Sequence, residues 1–387
     1  MTARTQRLVI AAASLAALSG AAFAGTIDVP AISYIGQHII PTGAQYGGTT
    51  VGGLSGIDFD PRDGSFWAIS DDRSSLNSAR FYNLDFNFDN TSVSGVTFNS
   101  VTNLQRPDGT NFPINQVDPE AIRFDASTGK FLWSSEGDRL PPGNLQNPFV
   151  REMNQDGSYT REFSTPSRYN PTAGNFGIVR NLAFESLTIS TDGNTVYTAT
   201  ENALLQDGPQ AGVGIGSPSR VLSFNKATGA AGAEFVYLTD PVAVDPIPAG
   251  SFATNGLVEL LAISPTEFLA VERSFSTGVG NVIKIYKASI AGATDVSGSD
   301  TLPGSYTAMT KELLFNLDSL GILLDNIEGI SLGPVLPNGN RSLVLVSDNN
   351  FSSTQFTQFL AFEIVPTPGT IVLAGIGALA AARRRRA

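Results

Sequence analysis

The sequence contains no cysteine. Disulfides, thiol chemistry and thiolate metal ligands are therefore excluded. There is one histidine, His38. A histidine-rich zinc site is excluded by that count, and a Ser–His–Asp triad would need His38 at a cleft. The nearest serine-elbow candidate, GGLSGI around Ser55, lacks the G-x-S-x-G spacing. Tryptophan is nearly absent, with only Trp67 and Trp133, so platforms for stacking sugars are scarce. No helical periodicity runs longer than Lys311 to Leu324. Positive charge is short: 24 Lys and Arg stand against 35 Asp and Glu, for a net charge of −11.

Most of that positive charge deficit lies in the middle of the chain. Arg4 and Arg7 precede an apolar run from Leu8 to Leu18, and AFA follows at Ala22 to Ala24. This is the pattern of a secretory signal peptide over residues 1–24, with cleavage expected before Gly25. At the other end, VPTPG leads into a short apolar stretch, Thr370 to Ala382, and then four arginines, Arg383 to Arg386. A stretch of that length falls short of the roughly 20 residues that span a bilayer, and the arginines mark a cytoplasmic side. Residues 366–387 resemble a PEP-CTERM sorting signal, with Thr367 where that pattern usually carries Glu. The resemblance implies a sorting protease as partner, transient membrane contact, and a destination at the cell surface, outer envelope or exterior. Removing both ends takes away six arginines and no acid, which moves the net charge to about −17. Such a surface repels nucleic acid and anionic membranes and suits divalent cations or cationic partners.

Between the ends, a hairpin recurs five times: LSGIDFD…FWAISDD from Leu54, PEAIRFD…FLWSSEGD from Pro119, FESLTIS…VYTATEN from Phe184, VELLAIS…FLAVER from Val258, and IEGISLG…LVLVSDN from Ile327. Copies lie about 65 to 74 residues apart, enough for one four-stranded blade with long loops. Further strands follow each hairpin, except that the fifth has only FLAFEI after it; AISYIGQHII, Ala31 to Ile40, supplies the missing outer strand. The predicted fold is an all-β, five-bladed β-propeller over residues 25–365, its ring closed by the N-terminal strand. Six blades remain compatible if a long insertion hides a degenerate copy.

In an antiparallel hairpin the start of one strand lies beside the end of the next. This pairs Glu120 with Glu136, Glu185 with Glu201, Glu259 with Glu272 and Glu328 with Asp348, and sets Ser55 opposite Asp71. All these ends share one propeller face. Like charges so gathered raise one another's pKa. Arginines could compensate them, Arg73, Arg139, Arg180, Arg220 and Arg273 all lying near these loops. Calcium, which takes oxygen ligands, could do so, or some acids could stay protonated and tie neighbouring blades together. The segment DFDPRDG, Asp58 to Gly64, has the look of a calcium loop but recurs at the hairpin-turn position of the repeat.

The motifs GLSGIDFDPRDGSFWAISDDRS, DPEAIRFD, NLAFESLTISTDGNTVYTATENAL, IAGATDVSG and DNIEGISLG…LVLVSDNNFSSTQFTQFLAFEI resemble the phytase-like, esterase-like domain family of secreted bacterial proteins, from about Leu54 to Ile364. The fourth copy departs, with VELLAIS where Glu-Gly or Glu-Ser would fit. By analogy to calcium-dependent propeller phytases, the resemblance implies hydrolysis of phosphoric or related esters with bound calcium. Catalytic candidates are then Glu136, Glu201, Asp71, Arg73 and Arg273, the two arginines gripping phosphate oxygens. Metal candidates are Glu120, Glu136, Glu185, Glu201, Glu259, Glu272, Glu328 and Asp348. Two alternatives stand beside it: a non-catalytic, calcium-stabilised surface-binding propeller, and a glycoside hydrolase using a carboxylate pair.

Overall fold

The computed structural model describes residues 25–140 and 143–366. The signal-peptide expectation and almost all of the tail lie outside the described residues. Within them, five four-stranded antiparallel sheets follow one another along the chain. The first blade comprises Leu54–Phe59, Phe66–Ser70, Arg80–Phe88 and Val93–Asn103. The second comprises Pro119–Asp125, Lys130–Ser135, Phe149–Met153 and Tyr159–Glu162. The third comprises Phe184–Ile189, Thr195–Thr200, Pro218–Asn225 and Ala231–Leu238, and the fourth Ala253–Ala262, Glu267–Ser276, Gly280–Ser289 and Thr310–Asn316. The fifth runs Asn326–Val335, Arg341–Asp348 and Phe356–Val365, and its outer strand is the N-terminal Ala31–Pro41. There is no sixth blade among the described residues.

The ring closes by antiparallel pairing from Ala31 opposite Val365 to Pro41 opposite Phe356, with one bulge between Tyr34 and Gly36. Joining both ends of the chain in one sheet keeps the ring from springing open and hides an edge. The strand that begins at Phe356 by the pocket described below ends at Val365 on the opposite face.

Propeller blades bury their apolar faces against each other, and the core divides accordingly. Trp67, Ile69 and Phe81 of the first blade interleave with Ile122, Phe131 and Trp133 of the second. Four equivalent layers join the remaining neighbours, the last uniting Val344, Val346 and Phe359 with Ile57, Phe66 and Tyr82. Both tryptophans are therefore core residues; Trp67 stacks edge-on to Phe131 at 4.9 Å between ring centres.

The helical periodicity of Lys311 to Leu324 does not produce an α-helix. Residues Thr310–Asn316 form an outer strand and only Leu317–Leu320 make one 3-10 turn. Pairing with the neighbouring strand and packing of Leu317 and Leu324 into the layer between the fourth and fifth blades outweigh the local pattern.

One arginine closes the axis beneath the pocket. Arg123 is buried on the inner strand of the second blade. Its Nε donates to Leu187 O at 2.6 Å and its Nη1 to Ile57 O at 2.6 Å, while Nη2 lies 2.6 Å from Glu259 Oε2. A single side chain thus ties the second blade to the first, third and fourth.

Candidate active site

Each inner strand carries a bulge near its start, where one strand holds an extra residue. The register jumps between Leu54 and Gly56, Pro119 and Ile122, Phe184 and Ser186, Leu257 and Glu259, and Ile327 and Gly329. The residues released from the ladder are Ser55, Glu120, Glu185, Val258 and Glu328. On the adjoining strand the corresponding residues are Asp71, Glu136, Glu201, Arg273 and Asp348, each one past the partner of the residue before the bulge.

The fourth blade corrects the sequence alignment by one residue. Leu257 pairs with Glu272, so Val258 and Arg273 take the positions held elsewhere by acids. A slip of one residue turns a side chain to a different environment. Glu259 accordingly points into the axis and binds Arg123. Glu272 points away between the third and fourth blades, accepting from Tyr237 Oη at 2.8 Å and Asn255 Nδ2 at 2.8 Å and lying 2.5 Å from Lys311 Nζ. Neither residue lines the cavity.

The remaining residues do converge. Asp71, Glu120, Glu136, Glu185, Glu201, Glu328 and Asp348 line one cavity of about 1120 Å³ with Arg73 and Arg273. Asp118 joins them: it, Glu120 and Glu136 bring carboxylate oxygens within 4.8 Å of one another. The sequence reading passed over Asp118, although it precedes Glu120 by two residues, a spacing that puts two side chains on one strand face.

Two guanidiniums, Arg73 and Arg273, stand among the acids of the ring. Arg73 Nε donates to Asp118 Oδ1 at 2.7 Å, and its Nη2 lies 3.7 Å from Glu136 Oε2. Glu136 also accepts from the Ala183 amide at 2.8 Å, across the blade boundary. Arg273 Nη2 stands 3.1 Å from Glu328 Oε1 and 3.4 Å from Glu201 Oε1, bridging the acids of the third and fifth blades. Asn326 steadies Glu328 at 2.8 Å. Gly256 makes room for Glu201, since a Cβ there would fall 2.0 Å from its Oε1. Asp71 Oδ1 is buried without a hydrogen-bond partner among the described residues.

Burial first, and repulsion between neighbours second, pushes the carboxyls of Asp71, Asp118, Glu120, Glu185 and Asp348 well above the usual range. Glu328 is also raised by burial, with Arg273 opposing. Burial pushes Glu201 up to about 7, against the attraction of Arg273. Both arginines are held above their usual value by the acids around them, against the opposing effect of burial. Such a pocket must load protons or cations.

The donor set fits calcium. It consists of carboxylate oxygens without histidine or cysteine, and a hard cation takes six to eight such oxygens. The partnerless Asp71 Oδ1 is the kind of atom a bound cation would satisfy.

Of the other sequence candidates, only Arg180 lines the cavity. Arg180 sits at the cavity mouth, 3.2 Å from Asp138, and Arg139 holds the Gly174 carbonyl. Arg220 is buried outside the pocket against Asp207 and Glu234. His38 pairs with Phe359 on the outer strand of the fifth blade and does not line the cavity. Asp58 to Gly64 is a strand end and hairpin turn; Asp58 accepts from the Phe124 amide at 2.7 Å and Ser331 Oγ at 2.9 Å, joining three blades.

Fold and pocket define a five-bladed propeller with an acidic cavity on its axis. A family model described as Phytase-like, esterase-like activity of phytase, matches residues 49–351, and the chain belongs to that family. No curated protein matches the sequence. Among solved structures, the chain is similar to a thermostable family-43 glycoside hydrolase, at 11% identity and TM-score 0.44, covering 82% of this chain and 92% of that one. It is also similar to an N-acetylgalactosamine deacetylase from F. plautii, at 11% identity and TM-score 0.42, covering 88% and 96%. A third likeness is to the Dos1 propeller, at 8% identity and TM-score 0.34, covering 81% and 68%. These likenesses concern the fold alone.

Proposed function

We propose that the protein hydrolyses phosphoric or related esters in the axial cavity, with the carboxylates loaded by calcium. The observation that carries this reading is the imbalance of the pocket: its lining holds nine carboxylates, with Asp118 beside them, against Arg73, Arg180 and Arg273, in a member of the phytase-like family. Without cations that wall repels an anionic ester.

Arg273 and Arg73 supply the chain's own grip on the ester oxygens. Each presents guanidinium N–H groups to the cavity, and a guanidinium matches the geometry of phosphate oxygens. Glu201 holds a proton that is shared near neutral pH, which suits it to exchange a proton with the reacting oxygen. Glu136, fixed by the Ala183 amide, and Asp71 orient the wall facing them. Calcium, when bound here, would supply positive charge to the ester and acidify a bound water.

The test is turnover of a phosphate monoester by the purified protein with calcium and after chelation, with Glu201→Gln and Arg273→Met beside it. The reading expects activity only with calcium and losses of about 10²–10⁴-fold for Glu201→Gln and about 10²–10³-fold for Arg273→Met. Calcium-dependent stability without turnover would instead assign the cavity to binding. Neither Trp67 nor Trp133 reaches the cavity, so the sugar-cleaving alternative gains no stacking platform from them.

Export by residues 1–24 and retention by residues 366–387 belong to the same proposal. Their composition supports it, and the position of Val365 would turn the cavity away from whatever holds the tail.

A further inference from the structure

The fourth blade differs from the other four at the ring, with Val258 and Arg273 where they carry Ser or Glu and an acid. It differs above the ring too. Phe275 follows Arg273 by two residues on the same strand and lines the same cavity. Phe252 lies beside it, the two ring centres 6.1 Å apart. Val279, from the loop at the end of that strand, and Ile322 and Leu323, from the connection into the fifth blade, continue this wall.

Three of these side chains are open to solvent: Phe252 is 67% exposed, Val279 42% and Leu323 74%. Single exposed apolar residues are ordinary, but a group on one wall of a ligand cavity marks a binding surface. Their backbone is fixed. Thr277 donates to Phe252 O from both its amide, at 3.0 Å, and its hydroxyl, at 2.9 Å. Gln358 Nε2 donates to Leu323 O at 3.0 Å. Across the mouth Arg180 and Asn181 line the cavity between Val179 and Leu182.

We propose that this wall seats the organic group of the substrate, so that the preferred esters are phosphate monoesters of aromatic or branched aliphatic alcohols rather than of polyols. The inference rests on the hydrolase reading above and adds the substrate class. Arg273 holds the anionic end, and the apolar wall next to it removes the alcohol moiety from water. A polyol in the same place would strip water from its hydroxyls without giving them partners.

The experiment compares 2-phenylethyl phosphate with 2-hydroxyethyl phosphate, both esters of primary alcohols, in calcium. The expected ratio of kcat/KM is at least about tenfold in favour of the phenylethyl ester. In Phe252→Ser/Leu323→Ser, both at exposed positions, that ratio falls toward one. A wild-type ratio at or below one overturns the proposal, as does a ratio the double variant leaves intact. If neither ester turns over, the hydrolase reading has failed, and calorimetry with 2-phenylethylphosphonate and methylphosphonate decides the wall separately. Tighter binding of the former, lost in the double variant, upholds the apolar seat; equal binding overturns it. A dimer in sedimentation that Phe252→Ser dissolves would assign the wall to a second copy of the chain and also overturn it.

Discussion

Replacing Arg123 by methionine should weaken the ring more than any surface change of similar size. The guanidinium and the Glu259 carboxylate are 3% and 1% exposed and 2.6 Å apart. Removing it strands a buried carboxylate and leaves the Leu187 and Ile57 carbonyls without their donor. Breaking one half of a buried pair costs about 3–5 kcal/mol. The pH dependence carries the sharper test. Burial raises Glu259 to about 7 from 4.5, with Arg123 the main opposing influence. A raised carboxyl holds a proton in the folded chain that the unfolded chain has released. Stability therefore falls as pH rises from about 4.5 through about 7, by about 3 kcal/mol for this group. Without Arg123 the carboxyl rises further, so the decline continues above pH 7. The loss in Arg123→Met should exceed its pH 5 value by about 1 kcal/mol at pH 8. Urea unfolding in chelator, followed by fluorescence of the buried Trp67 and Trp133, measures it. Adding Glu259→Gln should restore part of the loss at pH 8. A loss below about 1 kcal/mol at pH 8, or no change between the two pH values, would refute the reasoning.

Three further outcomes are expected. Gly256→Ala places a methyl within 2.5 Å of three atoms of the buried Glu201, so turnover should fall at least about tenfold and stability by about 1–3 kcal/mol in urea unfolding. Because Asp71, Glu120, Glu185 and Asp348 hold protons more tightly than usual, calcium must displace protons, and its apparent affinity should rise from pH 5 to pH 8 in a calorimetric titration. Asp118→Asn should weaken calcium binding at least about tenfold, whereas Glu272→Gln, whose carboxylate faces Tyr237 and Lys311, should leave it unchanged.

The fold was readable because five hairpins repeat their strand lengths and turn residues, and because a blade one strand short calls for Ala31–Pro41. The convergence of Glu120, Glu136, Glu185, Glu201, Glu328 and Asp348 followed from hairpin geometry alone. The fourth blade did not yield to the same reasoning. A bulge adds a residue without a signature in period-two patterning, so VELLAIS aligns by its glutamate although its valine occupies the ring position. Glu259 and Glu272 therefore fall outside the ring, and Arg273 takes the place the other copies give to an acid. Arg123 was not singled out because its partners come from three other blades, and only closure of the ring brings them together. Asp118 was legible in its spacing from Glu120.

The central claim is that the axial carboxylates form a calcium-loaded hydrolytic site. Calcium titration of the purified protein, with melting temperature and phosphate monoester hydrolysis followed together, tests it most directly. The account predicts that both rise over the same calcium range, and that Glu120→Gln/Glu136→Gln shifts both to higher calcium. No response in either would contradict it and leave arginine pairing and protonation to hold the acids of the ring.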